Sequence, residues 1–221
     1  MSDDADAEAE AASARRRTWV IGGILLLLSV LVLGVARGPL AAIAPAKDWL
    51  FAAAGVIFAV GLGRAGSVTG RGIIGTASTI LCVIAPLTQA FWFGLVPDSL
   101  DPHAEEDLWT LVLMAYLAVA TVLALISVFC IGLAAVIPSP WHWAPAWVMV
   151  WTPVAYLAGL FVFSSQSPEA SLGAYLASYG PAAGTAFLGI LGVVLGLRAS
   201  PAASESPGVG QTLGGLESSD R

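Results

Sequence analysis

Residues 18–36 read TWVIGGILLLLSVLVLGVA, nineteen positions without a charged or amide side chain, and they follow directly on Arg15, Arg16 and Arg17. About 20 residues of helix, rising 1.5 Å each, cross a hydrocarbon core ~30 Å thick. Inside that core a helix satisfies its own backbone hydrogen bonds, which lipid cannot do for it. The stretch therefore predicts a membrane span. Five more apolar runs follow, at residues 48–63, 72–96, 108–137, 143–163 and 181–197, and none carries a charge in its central portion. The whole chain agrees. Of 221 residues, 57% are hydrophobic and only 11% charged, against about a quarter charged in soluble domains. The expected fold is all-α, a polytopic membrane protein of six transmembrane helices over residues 18–198, with little length left for a soluble domain.

Outward from the first run, residues 1–17 hold Asp3, Asp4, Asp6, Glu8 and Glu10 with no base before Arg15. This acidic tail is expected to be disordered, as is the Ser/Gly/Pro-rich tail at residues 199–221. Basic residues are retained on the cytoplasmic side of a membrane. Arg15–Arg17 therefore place the N-terminus inside, and six spans return the C-terminus inside. The other bases test this threading. Arg64, Arg71, Arg198 and Arg221 also fall inside, and only Arg37 and Lys47 fall outside, a count of seven to two. The loop at residues 97–107, with five acids and no base, falls outside. Tryptophan prefers the headgroup level, and seven of the eight lie near span ends; Trp151 is two turns into the fifth span. Trp143, Trp147 and Trp151 share one helical face, read as an interfacial anchor that continues into a packing face. Eight arginines against one lysine, with abundant alanine and glycine, point by composition to a bacterial source and hence to the plasma (inner) membrane.

Two spans are unusual in length. The second is uninterrupted only over residues 49–63, about 23 Å of helix. The fourth begins early, with Asp101 suited to the N-cap and Pro102 to the first helical position. A helix from there to Ile137 is about 54 Å long, and Pro138 and Pro140 end it. Arg16-Arg17 and Ala42-Ile43-Ala44 loosely resemble a twin-arginine signal with a cleavage site, but the apolar run is long and five spans follow it.

Helices in lipid associate through close contact of small residues. In the third span Gly75, Ser78, Cys82, Ala85 and Gln89 follow a 3-4-3-4 spacing, and in the sixth Ala182, Thr185, Gly189, Gly192 and Gly196 repeat it. Gly55, Ala59 and Gly63 form a four-spaced ridge in the second. These faces are expected inside the bundle. Ser167-Pro168-Glu169 reads as a helix start, and Leu172, Tyr175, Leu176 and Tyr179 then mark an amphipathic helix on the outer surface.

Polar groups within spans are the usual pointers to function, because lipid penalises them. Here the candidates are Thr88 and Gln89, just after Pro86 in the third span, and Thr152, beside Pro153 in the fifth. They suggest a neutral-solute pocket between those two helices; the plainer reading is a kinked helix whose amide bonds a neighbour. His103 and Asp107 share a helical face in the acidic loop, more simply read as acids near a helix N-terminus than as a metal site. His142 has no intramembrane carboxylate to relay protons with, and the glycine-rich piece from Gly61 to Gly75 lacks the lysine and spacing of a phosphate-binding loop. Cys82 and Cys130 behave as small apolar residues. No catalytic, metal or cofactor-binding residue emerges, and nucleic acid is not an expected partner. The leading expectation is a non-enzymatic integral membrane protein acting through helix packing with a membrane partner or with itself. The alternative is a small permease or channel for an uncharged or lipid-like solute.

Overall fold

The computed structural model describes residues 2–36, 40–63, 66–97, 102–137, 139–164 and 170–198. Among these there is no strand, and six helical segments are long and apolar enough to cross a membrane. The expected all-α architecture holds at that level; several boundaries do not.

Helix α1 spans Ser2–Val35. It thus runs straight through the acidic tail expected to be disordered. Ala7, Ala9, Ala11 and Ala12, interleaved with Glu8 and Glu10, are strong helix formers, and they extend a helix already nucleated by the membrane segment. Ala14 also rests against Gly63 of the next loop. The tail at 199–221 lies outside the described residues.

A tight turn at Ala41–Ile43 leads into α2, Ala46–Val60, only 15 residues long. It stops before Gly63 because Gly61 takes a left-handed backbone (φ 78°), which glycine adopts without steric cost. The chain then folds back. Val68 N–H donates to Phe58 C=O at 3.0 Å, and Ser67 Oγ to Ala59 C=O at 2.6 Å. Gly66, Ser67, Val68 and Thr69 are all buried.

The third span is broken. Helix α3 (Ile73–Ile84) passes into a 3-10 turn (Ala85–Thr88) and then a short α4 (Gln89–Phe93). Pro86 has no N–H for the carbonyl four residues back, and the chain tightens locally. The small-residue seam shows the consequence. Gly75 and Ser78 are buried, Cys82 and Ala85 half-buried, and Gln89 exposed; the tighter turn rotates the last position off the seam.

Helix α5, Pro102–Ala134, is about 50 Å long, with Pro102 at its first position as expected. It ends three residues before Ile137, where Ala135 turns left-handed (φ 47°). After a tight turn at Trp141–Trp143 comes α6, Ala144–Ser164. Helix α7 runs unbroken over Ala170–Arg198, through Pro181. The separate surface helix expected before residue 181 is therefore a continuation of the sixth span, with Tyr175 and Tyr179 stacked at 5.9 Å along it. One carbonyl left without its donor by Pro181 does not break a helix that Trp151 braces from α6, its Nε1 donating to Gly180 C=O at 2.8 Å.

The span helices pack in the order α6–α7–α1–α2–α3–α5. Glycine sets the closest approaches. A Cβ on Gly23 of α1 would lie 2.6 Å from the Gly189 carbonyl of α7, and Gly192 and Gly196 also face α1. Gly55 of α2 takes Val83 of α3. The predicted seams of the second and sixth spans thus point inward over these positions. Helices α5 and α6, adjacent in sequence, close the series only weakly; Gly132 receives the ring of Trp143 beside the turn that joins them. The bundle is therefore an open arc. Its apolar core sits at the end bearing Arg15–Arg17, where Trp19, Val68 and Ile131 pack with Phe58, Ile137 and Leu195. This will be called the basic end, and the end bearing Glu105–Asp107 the acidic end.

Candidate functional site

Most intramembrane hydroxyls are occupied by the backbone. Thr88 Oγ1 donates to Ala85 C=O at 2.8 Å within the 3-10 turn. Thr152 Oγ1 donates to Val148 C=O at 2.9 Å. Thr152 lies on a stripe with Ala155, Gly159 and Val162, the only positions of α6 from Val150 to Val162 that are not exposed. Ala155 of that stripe meets Gly180 of α7, so Thr152 is turned toward the sixth span. Thr88 and Gln89 sit on a span whose partners are α2 and α5. The structure does not bring Thr152 to them.

Gln89 has different company. The step at Pro86 leaves it exposed at the start of α4, lining an open hollow of about 480 Å³ with Pro45, Asp48, Trp49, Pro86 and Phe93. Its amide makes no hydrogen bond among the described residues. Asp48 Oδ1 accepts from Lys47 Nζ at 2.6 Å, and Trp49 is 66% exposed. Behind the hollow an aromatic cluster fastens the third span to the fourth: Phe93 to Trp109 at 4.8 Å, Phe93 to Tyr116 at 6.5 Å and Trp92 to Tyr116 at 6.1 Å. Sequence reading singled out Gln89 and passed over Asp48 and Trp49. Their signal was a charged pair, Lys47-Asp48, set against a tryptophan where a short apolar run begins.

A second polar group was also missed. At the basic end Ser67 and Thr69 hydroxyls lie 2.9 Å apart, and Thr69 and Thr76 2.7 Å apart. Thr79 of α3 meets Ser127 of α5 at 2.6 Å. Leu62 N–H donates to Thr18 Oγ1 at 2.8 Å. These groups satisfy one another and the folded-back loop, so they act as internal fasteners. Near them Trp19 is 4% exposed, and its Nε1 finds no hydrogen-bond partner among the described residues. The alternation Ser67-Val68-Thr69 within a glycine-rich loop was the available clue.

The remaining candidates stay apart. His103, Glu106 and Asp107 are exposed on the first turns of α5. The His142 ring lies 5.5 Å from that of Trp143. Both cysteines are free and half-buried. Among the described residues no three His, Cys, Asp or Glu side chains converge.

No family model, curated protein or solved structure matches this chain.

Proposed function

We propose that this is a non-enzymatic multi-pass protein of the bacterial plasma (inner) membrane, with both termini cytoplasmic, that works by packing its helices against a membrane-protein partner or a second copy of itself. The observation that carries the reading is the uncovered flank of the open arc. From His103 to Val119 of α5, only Glu105, Leu108, Val112 and Tyr116 are part-covered, and every other side chain is exposed. That single stripe serves the third span, with Tyr116 against Trp92 and Phe93 of α4. Away from the stripe Ala115, Ala118 and Thr121 follow at three-residue spacing, all exposed, winding from its edge to the far side of the helix. Small residues in such a row let two helix backbones approach closely in lipid, where packing contacts drive association. Helix α6 is likewise covered on one stripe only over its acidic-end half. The permease alternative has less support, because Gln89 and Thr152 belong to different packing pairs.

The threading rests on the distribution of basic residues, seven of which fall on the cytoplasmic side. Reporter fusions at the two ends are expected to report the same, cytoplasmic, face. The packing reading is tested by oxidative crosslinking in native membranes. The chain would carry Cys82→Ala and Cys130→Ala and a single new cysteine from Ala118→Cys or, as a control, Leu31→Cys, also on an exposed face. A disulfide-linked homodimer or a discrete larger adduct is expected at 118 and not at 31. Monomer alone at both sites, together with no adduct from a photo-crosslinker at 118, would count against it.

A further inference from the structure

The hollow beside Gln89 is shallow and open, but its lining gathers a carboxylate, an amide and two aromatic rings, and nothing in the packing argument uses it. Its volume, about 480 Å³, falls within the ~300–1,000 Å³ range of small-molecule sites. It exists because two local features coincide. Helix α2 is short, so its first turn, with Asp48 and Trp49, stands at the acidic end and not beyond it. The 3-10 turn at Pro86 then steps the third span aside and carries Gln89 and Phe93 round to face that turn. The lining joins one carboxylate, one unbonded amide and two aromatic rings to the apolar flanks of Pro45 and Pro86.

We propose that this hollow binds the alkylated ammonium head of a membrane amphiphile. A tetraalkylammonium group has no N–H to donate. It is held by a carboxylate and by aromatic faces, whose quadrupoles attract a cation; Asp48, Trp49 and Phe93 supply both. The carboxylate already pairs with a cation of the protein's own, on a residue outside the hollow's lining. Lys47 Nζ lies 2.6 Å from Asp48 Oδ1, tethered one residue away. Both side chains are about a third exposed, and such surface pairs are weak, so a bound ammonium can exchange with the lysine. The hollow is open on one side, so an alkyl chain attached to the bound head is free to lie outside it, in lipid. The amphiphile's tail then stays in lipid while its head reaches the carboxylate.

The test uses the full chain in dodecyl maltoside micelles, which carry no charge. Two trace probes with identical photoreactive twelve-carbon chains are compared, one headed by trimethylammonium and one by maltose, and labelled peptides are identified by mass spectrometry. The ammonium probe is expected to label the segments around Trp49 and Gln89–Phe93 at least fivefold more than the maltose probe. Trp49→Ala should reduce that labelling by about 2- to 30-fold, the range of a cation–aromatic contact. Asp48→Asn should reduce it at least as much. Lys47→Met frees the carboxylate and should raise labelling by about 1.5- to 5-fold, the range for losing a weak surface pair. That increase is the diagnostic sign, since a merely structural lysine would not produce it. Equal labelling by the two probes overturns the proposal without recourse to any variant. A fall in labelling with Lys47→Met, in protein that keeps its helical circular dichroism, also overturns it. Displacement of the probe as readily by benzyltrimethylammonium as by dodecyltrimethylammonium would overturn the assignment to an amphiphile.

Discussion

The contact between Gly23 and Gly189 makes the sharpest stability prediction. These residues lie on α1 and α7, and the two helices meet there backbone to backbone. A methyl group at position 23 would sit 2.6 Å from the Gly189 carbonyl oxygen and 2.9 Å from the Val193 amide nitrogen. Neither atom belongs to a side chain that can swing away. Carbon contacts are most favourable near 3.5–4.0 Å, so Gly23→Ala must part the helices by roughly 0.7–1 Å. A gap of that order forfeits about a quarter to a half of the dispersion energy of each contact across it, and overpacking generally costs about 1–3 kcal/mol. Alanine is also a better helix former than glycine by about 0.8–1 kcal/mol, which offsets part of the loss. Gly34 supplies the control: it lies on the same helix, and a Cβ there meets nothing within 4 Å. Gly34→Ala gains the propensity and incurs no clash. The two alanine variants are therefore expected to differ by about 1–3 kcal/mol, with Gly23→Ala the weaker. Unfolding by dodecyl sulfate in mixed micelles, followed by helical circular dichroism, measures the difference. Variants of equal stability would refute the close approach of α1 and α7 at Gly23.

Three further expectations use the same assay. Trp151→Phe removes the bond to Gly180 and leaves a smaller aromatic ring, and should cost at least about 0.5–1.5 kcal/mol; Trp147→Phe, at a ring that meets Trp141 edge-on, should cost less. Thr79→Val takes away the acceptor of the Ser127 hydroxyl, at about 1–3 kcal/mol, whereas Ser127→Ala should cost less, because Thr79 Oγ1 still donates to Gly75 C=O at 2.7 Å. The double variant should cost less than the two together, and strict additivity would mean the 2.6 Å contact carries no coupling. Gly61→Ala should be strongly destabilising, at about 2 kcal/mol or more, because left-handed backbone and the Gly66–Ser67 backbone crowd the added carbon; a stability matching the unaltered chain would contradict the folded-back loop.

The sequence carried much of the fold and little of the site, for reasons visible at particular residues. Residues 18–36 announce a span by composition alone, and so do the other five runs. Gly189 and Gly192 were correctly assigned to an inward face because small-residue spacing is a one-dimensional signal of a two-helix contact. The seam of the third span failed at Gln89, since the effect of Pro86 on register is set by how the chain re-forms after it. The acidic tail was read as disordered from its charge, although its alanines equally favour extending α1. Thr152 was placed opposite Gln89 because both are polar and follow or precede a proline; nothing in the linear order says that Thr152 faces α7.

Composition by itself determined that the chain folds into helices of membrane-spanning length, and how many, because the cost of leaving peptide groups unpaired in lipid depends on the apolar run and not on what surrounds it. Only the tertiary structure decided that these helices form an open arc in the order α6–α7–α1–α2–α3–α5. It alone set Gln89 across from Asp48, forty-one positions away. Such meetings depend on the relative rotation and register of separate helices, and those are fixed by a few glycine contacts and one proline step whose consequences exist only in three dimensions.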